Sequence, residues 1–268
     1  MSYRLQVGVA FFAWGSAAVT STAADYLRGF TWDWRVDFGR PSALSELPPN
    51  PQSDAASRGL PSNAGLSSGP QAGSVWQYGN ASYAALTEGT FAVSDFHRYT
   101  AMSQYVTGEF LWDEGEGQHR DRIAYNAVED RHKVHPDSDS ESEAAVIRWT
   151  YPGQQTVDLR ITGTVADLAP GTGGGCDGVD LYLLKNASAD TIAYAVIPNA
   201  GSCPVNATTT VAPGDEVFMG LGYLGNHTSD NTAVDVTFEV VPEPVSAALL
   251  AAGGLLLLRR KPARCPTC

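Results

Sequence analysis

The stretch Thr156-Val157-Asp158-Leu159-Arg160-Ile161-Thr162 decides the fold class of this 268-residue chain. Its apolar residues, Val157, Leu159 and Ile161, occupy every second position. Side chains with a period of two lie on the same face of a β-strand, so the stretch predicts a strand with one face on a core and the other in water. Residues 234–240 (VDVTFEV) repeat this alternation near the other end of the chain.

Further strand signals recur between and before these two segments. Residues 32–36 (WDWRV) alternate in the same way, and seven more segments are predicted as strands: 90–93, 108–112, 122–125, 144–149, 178–185, 191–197 and 216–223. Turns rich in Gly, Asn, Asp and Pro separate them. No sustained helical period is present. The sequence therefore predicts an all-β fold, a single antiparallel β-sandwich that is jelly-roll-like.

The charge of the chain is unevenly distributed. The whole chain carries −12, but residues 1–24 and 242–268 are basic, and residues 25–241 alone carry −16. Such an acidic segment offers no basic stripe to neutralise phosphates, so nucleic-acid binding is not expected. The same charge favours solubility and could recruit divalent cations.

Residues 1–24 have the pattern of an export signal. One arginine near the start is followed by a mostly apolar run over 7–19 and then by Ser21-Thr22-Ala23-Ala24. This order is typical of a signal peptide, and signal peptidase is expected to cut after Ala24 or, alternatively, after Ala23. Because Trp14-Gly15-Ser16 interrupts the apolar run, a core helix of the mature protein stays open as a second interpretation.

The other end of the chain combines a proline-rich motif, an apolar run and a basic cluster. Val241-Pro242-Glu243-Pro244 precedes the apolar residues 245–258, and Arg259, Arg260 and Lys261 follow. A helix over these fourteen residues would span about 21 Å, which is short of the ~30 Å hydrocarbon core of a bilayer. The basic cluster would hold residues 262–268 in the cytoplasm. We expect a short transmembrane helix, with a buried terminal helix as the alternative.

This order of parts resembles the PEP-CTERM sorting signal of Gram-negative bacteria, over residues 241–261. The resemblance implies that an exosortase recognises Pro242, Glu243, Pro244 and the basic cluster, and removes the tail. The ectodomain would then reach the cell surface or the exopolysaccharide matrix, and the membrane would be contacted only through the helix before cleavage. The pair Cys265 and Cys268 after the basic cluster departs from the family pattern.

The ectodomain, residues 25–240, contains a stretch of different composition. Residues 41–74 hold eight Ser, six Pro and four Gly and no aromatic residue, so they are predicted as a loop or insertion with no core of its own. The part after it, 75–240, is similar to a β-sandwich module common in PEP-CTERM surface proteins. The similarity rests on VWQYG at 75–79, VHP at 134–136, VIRWTYPG at 146–153, GVDLYLLKN at 178–186 and APGD at 212–215. That module resembles carbohydrate-binding jelly rolls in outline.

Two cysteines lie between the predicted signals. A disulfide between Cys176 and Cys203 would close a 28-residue loop and stabilise the fold by about 3–4 kcal/mol in the chain-entropy model. It would join the start of one strand to the loop after its hairpin partner. We expect this disulfide in an exported protein, with two unpaired thiols as the alternative.

Calcium is the only cofactor that the sequence suggests. The acids Asp177 and Asp180 flank one glycine-rich bend, and Asp230 and Asp235 flank another. Loop carboxylates of this kind can hold calcium, although solvated turn acids are the alternative. No other metal site is predicted.

Aromatic residues are the best clue to a ligand. Trp76, Trp112, Tyr182 and Tyr223 could stack on sugar rings if they are exposed, whereas a sandwich core would bury most of them. No catalytic residue is predicted. The first interpretation is a structural or adhesive surface protein and the second a lectin-like carbohydrate-binding module. A glycoside hydrolase is the weakest, because adjacent loop acids do not supply two carboxylates at a fixed separation.

Overall fold

The structure is a computed structural model, and it describes residues 31–38, 75–99, 101–104, 109–113, 122–136, 142–153, 155–168, 177–225 and 231–241. The expected signal peptide with its cut at Ala24, the segment 41–74, the motif Pro242-Glu243-Pro244 and the rest of the tail lie outside the described residues. Within the described part of the chain, no helix is long and apolar enough to cross a membrane.

Fourteen strands form two antiparallel sheets in the described residues. Sheet A contains β1 (Thr31–Asp33), β4 (Ala101–Gln104), β5 (Glu109–Asp113), β6 (Arg122–Asn126), β7 (Arg131–His135), β9 (Val157–Asp167), β12 (Ser202–Val211) and β14 (Thr232–Val241). Sheet B contains β2 (Trp76–Ser82), β3 (His97–Arg98), β8 (Glu143–Thr150), β10 (Gly178–Lys185), β11 (Ala187–Pro198) and β13 (Glu216–Tyr223). The described residues form only short helices: α1 (Trp34–Phe38), α2 (Tyr83–Thr87) and a 3-10 turn at Val93–Asp95.

The strand order shows how the chain wraps. Sheet A runs β12-β9-β14-β7-β6-β5-β4, with β1 paired to β14, and sheet B runs β11-β10-β13-β8-β2-β3. From β7 to β14, every connection crosses to the other sheet except the β10–β11 hairpin. This interleaving of β7-β14-β9-β12 with β8-β13-β10-β11 is the connectivity of a jelly roll. The predicted antiparallel β-sandwich is therefore confirmed.

The core lies between the two sheets, where the alternation predicts it. Val157, Leu159 and Ile161 of β9 are buried, and Val234, Val236 and Phe238 of β14 join the same hydrophobic cluster. Trp76 and Trp149 of sheet B pack against Phe238 of sheet A, each with ring centroids 5.1 Å from its ring. Burial of such large apolar side chains is the main favourable term in folding.

The N-terminal segment differs from its predicted form. The alternation at 32–36 predicts one strand, but β1 ends at Asp33 and α1 begins at Trp34. The helical turn places Trp34 and Phe38 on one face, with ring centroids 6.1 Å apart, and both are buried. The indole Nε1 of Trp34 also donates a hydrogen bond to the carbonyl of Val234 over 2.9 Å. The helical turn thus buries the ring of Phe38 together with that of Trp34, which favours α1 over a continued strand.

Two other predicted elements need correction. Residues 90–93 were predicted as a strand, but only Ala92 forms an isolated bridge, and a 3-10 turn follows at Val93–Asp95. No strand is predicted over 202–211, where Cys203 is expected in a loop, but these residues form β12 and pair with β9. β12 lacks strong apolar alternation because it is an edge strand with one largely exposed face.

Candidate functional site

Sheet B is buried on both faces over much of its area. Its inner face contributes to the core, and its outer face carries a second hydrophobic cluster in which Leu86, Phe91 and Phe96 cover Phe218 and Leu184. α2 and the loop after it supply this cover. The cover ends toward β11, so the outer face of β10 and β11 is where side chains reach solvent.

A group of tyrosines surrounds one carboxylate at this margin. Asp180 and Tyr182 are outward-facing residues of β10, because the residues that alternate with them, Val179, Leu181 and Leu183, lie in the core. In the strand register, Tyr182 lies opposite Tyr194 of β11. Tyr83 of α2 approaches from above. We name Tyr83, Asp180, Tyr182 and Tyr194 the tyrosine face.

Asp180 organises the tyrosine face through hydrogen bonds. The hydroxyls of Tyr83 and Tyr182 each donate to its Oδ2 over 2.9 Å. The carboxylate itself is 1% exposed. Burial raises the pKa of the Asp180 carboxyl, and the two hydrogen bonds offset part of that rise. A ligand at the surface would therefore contact the tyrosines, while the buried Asp180 holds the hydroxyls of Tyr83 and Tyr182 by hydrogen bonds.

The same contacts affect the tyrosine hydroxyls. Burial is the main cause that raises the pKa of Tyr83 and of Tyr182, and the charge of Asp180 adds to it. Both hydroxyls thus remain protonated at neutral pH and continue to donate to Asp180. A hydroxyl can donate once and accept twice, so each of these oxygens retains acceptor capacity beyond its bond to Asp180, and on Tyr182 part of this capacity is used by a side-chain hydrogen bond with Tyr194.

A glycine makes this close packing feasible. Gly222 of β13 lies opposite Asp180 in the register. A Cβ atom at this position would lie 2.0 Å from Cε2 of Tyr83 and 2.5 Å from Oδ1 of Asp180. Any other residue would push the Tyr83 ring away from the carboxylate. The ring of Tyr83 also packs on Tyr223, with centroids 4.5 Å apart.

Tyr194 is the exposed member of the tyrosine face. Its side chain is 53% exposed, and its ring lies 4.9 Å from that of Tyr182 in a tilted arrangement. Val196, two residues further along β11, is 48% exposed. An aromatic ring held at a surface by a second ring, beside hydroxyl oxygens and an aliphatic side chain, can bind a ligand with both apolar and polar faces.

The structure separates the four aromatic residues that the sequence singles out. Trp76 is completely buried in the core and has no surface to offer a sugar. Tyr223 is nearly buried beneath Tyr83. Tyr182 belongs to the tyrosine face and is partly exposed. Trp112 lies on β5, but its side chain is outside the described part of the structure.

Acids of the two bends predicted to hold calcium lie on different sheets. Asp180 lies on the outer face of sheet B, whereas Asp235 lies on the outer face of sheet A, where it pairs with Arg35. Asp177 is exposed, and Asp230 lies outside the described residues. Among the residues that the structure describes, no group of three or more His, Cys, Asp or Glu is arranged to hold a metal ion. Calcium binding thus stays a prediction from the sequence.

The structure describes only one of the two cysteines of the predicted disulfide. Cys203 is part of β12 and not of a loop, and its sulfur lies 3.6 Å from the carbonyl oxygen of Pro204. Cys176 lies outside the described residues, so the pairing stays a prediction.

A second polar cluster lies on sheet A. Glu109 is buried between Arg122, whose Nε lies 3.4 Å from its Oε1, and Lys133, whose Nζ lies 3.9 Å from its Oε2. Lys133 also pairs with Glu129 over 2.9 Å. A carboxylate enclosed by two cations is suited to holding β5, β6 and β7 together, because each charge has a partner.

Sequence reasoning missed two members of the tyrosine face. Tyr83 follows a strand end and Tyr194 lies in a predicted strand, but neither had a signal that set it apart from core aromatics. An outward position next to Tyr182 could have been inferred for Tyr194 only from the register of the hairpin.

Comparisons with known proteins complete this description. A scan against models of known protein families finds no match, and a search of curated proteins finds none either. Among solved structures, the chain is similar to the C-terminal CBM6 of LamC, a marine laminarinase from Zobellia galactanivorans, at 12% identity and a TM-score of 0.27, over 41% of this chain and 82% of that one.

Two further structures show similarity of the same kind. One is a family 35 carbohydrate-binding module from Clostridium thermocellum, at 8% identity and a TM-score of 0.25, over 52% of this chain and 95% of that one. The other contains the CBM51-2 and INT domains of Clostridium perfringens ZmpB, at 11% identity and a TM-score of 0.31, over 61% of this chain and 34% of that one. At such low identities and TM-scores, the similarities carry no argument about what this chain binds.

Proposed function

We propose that the chain is an exported, non-catalytic protein of the cell surface or exopolysaccharide matrix, and that its β-sandwich binds carbohydrate at the tyrosine face. The observation that carries the binding proposal is the half-exposed Tyr194 ring, held against Tyr182, whose hydroxyl is fixed by Asp180. Carbohydrate binding thus takes the place of the purely structural or adhesive role, which is the first interpretation of the sequence. Adhesion to a polysaccharide remains compatible with it.

The chemistry of the tyrosine face suits a sugar ring. The C–H face of a pyranose is apolar and packs on an aromatic ring, while its hydroxyls need hydrogen-bond partners. Tyr194 provides the ring, and the hydroxyl oxygens of Tyr83 and Tyr182 provide acceptors because their protons are already directed to Asp180. A net charge of −16 over residues 25–241 would repel anionic polymers, so we expect a neutral glycan.

Glycan-array binding of the natively processed protein, with and without calcium, tests this proposal. We expect binding to neutral glycans and a loss of about tenfold in affinity for Tyr194→Ala, since aromatic contacts contribute about 0.5–1.5 kcal/mol beyond area burial and about 1.4 kcal/mol is tenfold. Val128→Ala is the matched control, because Val128 is 80% exposed in the turn between β6 and β7. No binding to any glycan, or equal binding by both variants, would reject the assignment.

The expected route to the cell surface rests on the sequence of the two termini. The signal over 1–24 and the motif Pro242-Glu243-Pro244 with its basic cluster support export followed by exosortase sorting. Replacing Pro242-Glu243-Pro244 with three alanines should leave an unprocessed, membrane-associated protein, visible as a larger band in membrane fractions. A protein of unchanged size and location would count against the sorting proposal but would leave glycan binding untouched.

A further inference from the structure

Sheet edges are sites where unpaired backbone groups can pair with another chain, and proteins usually block them. Five strands have an unpaired edge in the described part of the chain: β1, β3, β4, β11 and β12. β1 has three residues, β3 has two and β4 has four, so all three are too short to pair strongly. β12 is long, but Pro204 removes a backbone donor from its interior.

β11 lacks these protections. It has twelve residues, its proline is the last one, and Asp190 is its only ionisable side chain with a charge at neutral pH. The backbone of Ser188 is bonded to Phe91, so the start of the strand is covered. From Thr191 onward, β10 is the only strand paired with β11 among the described residues.

The side chains of β11 add apolar surface to this edge. Tyr194 and Val196 are among the few large hydrophobic residues that are exposed in the described structure, and both lie on the outer face. Between them, Ala195 is small and packs on the core side. The edge thus combines unpaired backbone with apolar side chains in a protein that is otherwise strongly acidic.

We propose that β11 pairs antiparallel with β11 of a second copy of this chain, across a two-fold axis near Tyr194. The six-stranded sheet B would then continue into the sheet of its partner. A second copy supplies an identical edge of the same length, and charge does not oppose the pairing. In a pairing centred on Tyr194, Asp190 lies opposite the uncharged Pro198 of the other copy, so no like charges meet.

This pairing is compatible with the tyrosine face. The backbone edge lies in the plane of the sheet, whereas the rings stand on its outer face. Two Tyr194 rings would lie side by side and join the two tyrosine faces into one longer surface. The proposal is independent of sugar binding, since it rests on backbone and charge.

Sedimentation equilibrium of the natively processed protein over micromolar to millimolar concentration tests the proposal. We expect a reversible monomer–dimer equilibrium that Val196→Lys weakens by about tenfold or more, because lysine within an edge strand blocks pairing. Val128→Lys, with the same charge change on an exposed residue away from the edge, should not weaken it. Thermal unfolding of both variants checks that they fold.

Hydrogen exchange supplies a second readout. The amides of 191–197 should exchange more slowly in concentrated than in dilute protein, while other strands stay unchanged. A protein that is monomeric throughout, a dimer that Val196→Lys leaves intact, or a β11 that is protected only by added unrelated peptides would overturn the proposal. A dimer without glycan binding would leave it standing and reject the proposed function alone.

Discussion

The hydroxyl of Tyr83 donates a hydrogen bond to Asp180, a residue 97 positions further along the chain, over 2.9 Å. This contact joins α2, which covers the outer face of sheet B, to β10, which also packs on the core. Tyr182 donates to the same oxygen and packs on the exposed Tyr194. A buried carboxylate thus determines where an exposed ring lies.

Replacement of Asp180 by asparagine should change how stability depends on pH. The pKa of Asp180 is raised by burial in the folded state, so its contribution to stability is full below its unfolded pKa and is lost as pH rises through its folded pKa. Asp180→Asn cannot ionise. We therefore expect the variant to gain unfolding free energy relative to the native sequence as pH rises above the ordinary aspartate pKa of about 4.

Urea unfolding at several pH values measures this difference, and other acids cancel in the comparison. Asp235→Asn, on the opposite outer face and paired with Arg35, is the control. A variant that loses relative stability as pH rises would mean that the pKa of Asp180 is lowered in the folded protein.

Gly222→Ala should destabilise the fold more than Gly220→Ala. At Gly222 the new Cβ would meet the Tyr83 ring and the Asp180 carboxylate, whereas at Gly220 it would meet Cδ1 of Leu86 at 2.9 Å, the far end of a flexible side chain. We expect a loss of about 1–3 kcal/mol at Gly222, typical of overpacking, and less at Gly220. Equal losses by chemical denaturation would show that the Tyr83 position does not depend on Gly222.

Loss of Arg148 should be partly rescued by loss of Glu216. Arg148 pairs with Glu216, and its guanidinium lies over Phe96 and Phe218 at 5.4 and 5.9 Å from the ring centroids. Burial raises the pKa of Glu216, and Arg148 opposes this rise. Arg148→Met should therefore cost about 3–5 kcal/mol, because it leaves a buried charge without its partner.

The double variant Arg148→Met with Glu216→Gln should recover a large part of that loss. A double-mutant cycle of unfolding free energies gives the coupling. Additive effects of the two substitutions would show that the ion pair contributes no coupling beyond its separate side chains.

Trp34→Ala should destabilise the sandwich although Trp34 lies far before β2 in the sequence. The ring is completely buried, packs on Phe38, Tyr78 and His132, and donates to Val234. We expect a loss of about 3–5 kcal/mol, as for other large core truncations. A thermal or urea transition unchanged from that of Val128→Ala would mean that residues 31–38 are not part of the folded core.

Local patterns account for much of the fold but little of the site. The alternation in β9 and β14 predicts strands because burial of one face needs a period of two, and both strands are observed. β12 and α1 were not predicted. β12 is an edge strand and needs no strongly apolar face. In α1, the helical turn allows both Trp34 and Phe38 to be buried.

The candidate site could be predicted from the sequence to a smaller extent than the fold. Tyr182 and Asp180 can be chosen from the sequence, but for different roles, as a sugar platform and as a calcium ligand. Their hydrogen bond exists because they are neighbours on the outer face of one strand, and its partner Tyr83 arrives from a helix remote in sequence. Trp76, equally prominent in the sequence, is buried because β2 directs it inward.

The sequence by itself determined the all-β class, the half-buried strands and the acidic middle between two basic ends, because alternation and charge act on neighbouring residues. Only the tertiary structure decided which tyrosines meet one carboxylate, which aromatic ring reaches solvent, and which edge strand has no protection from the residues that the structure describes. These depend on sheet order and strand register, which bring together residues that are distant along the chain.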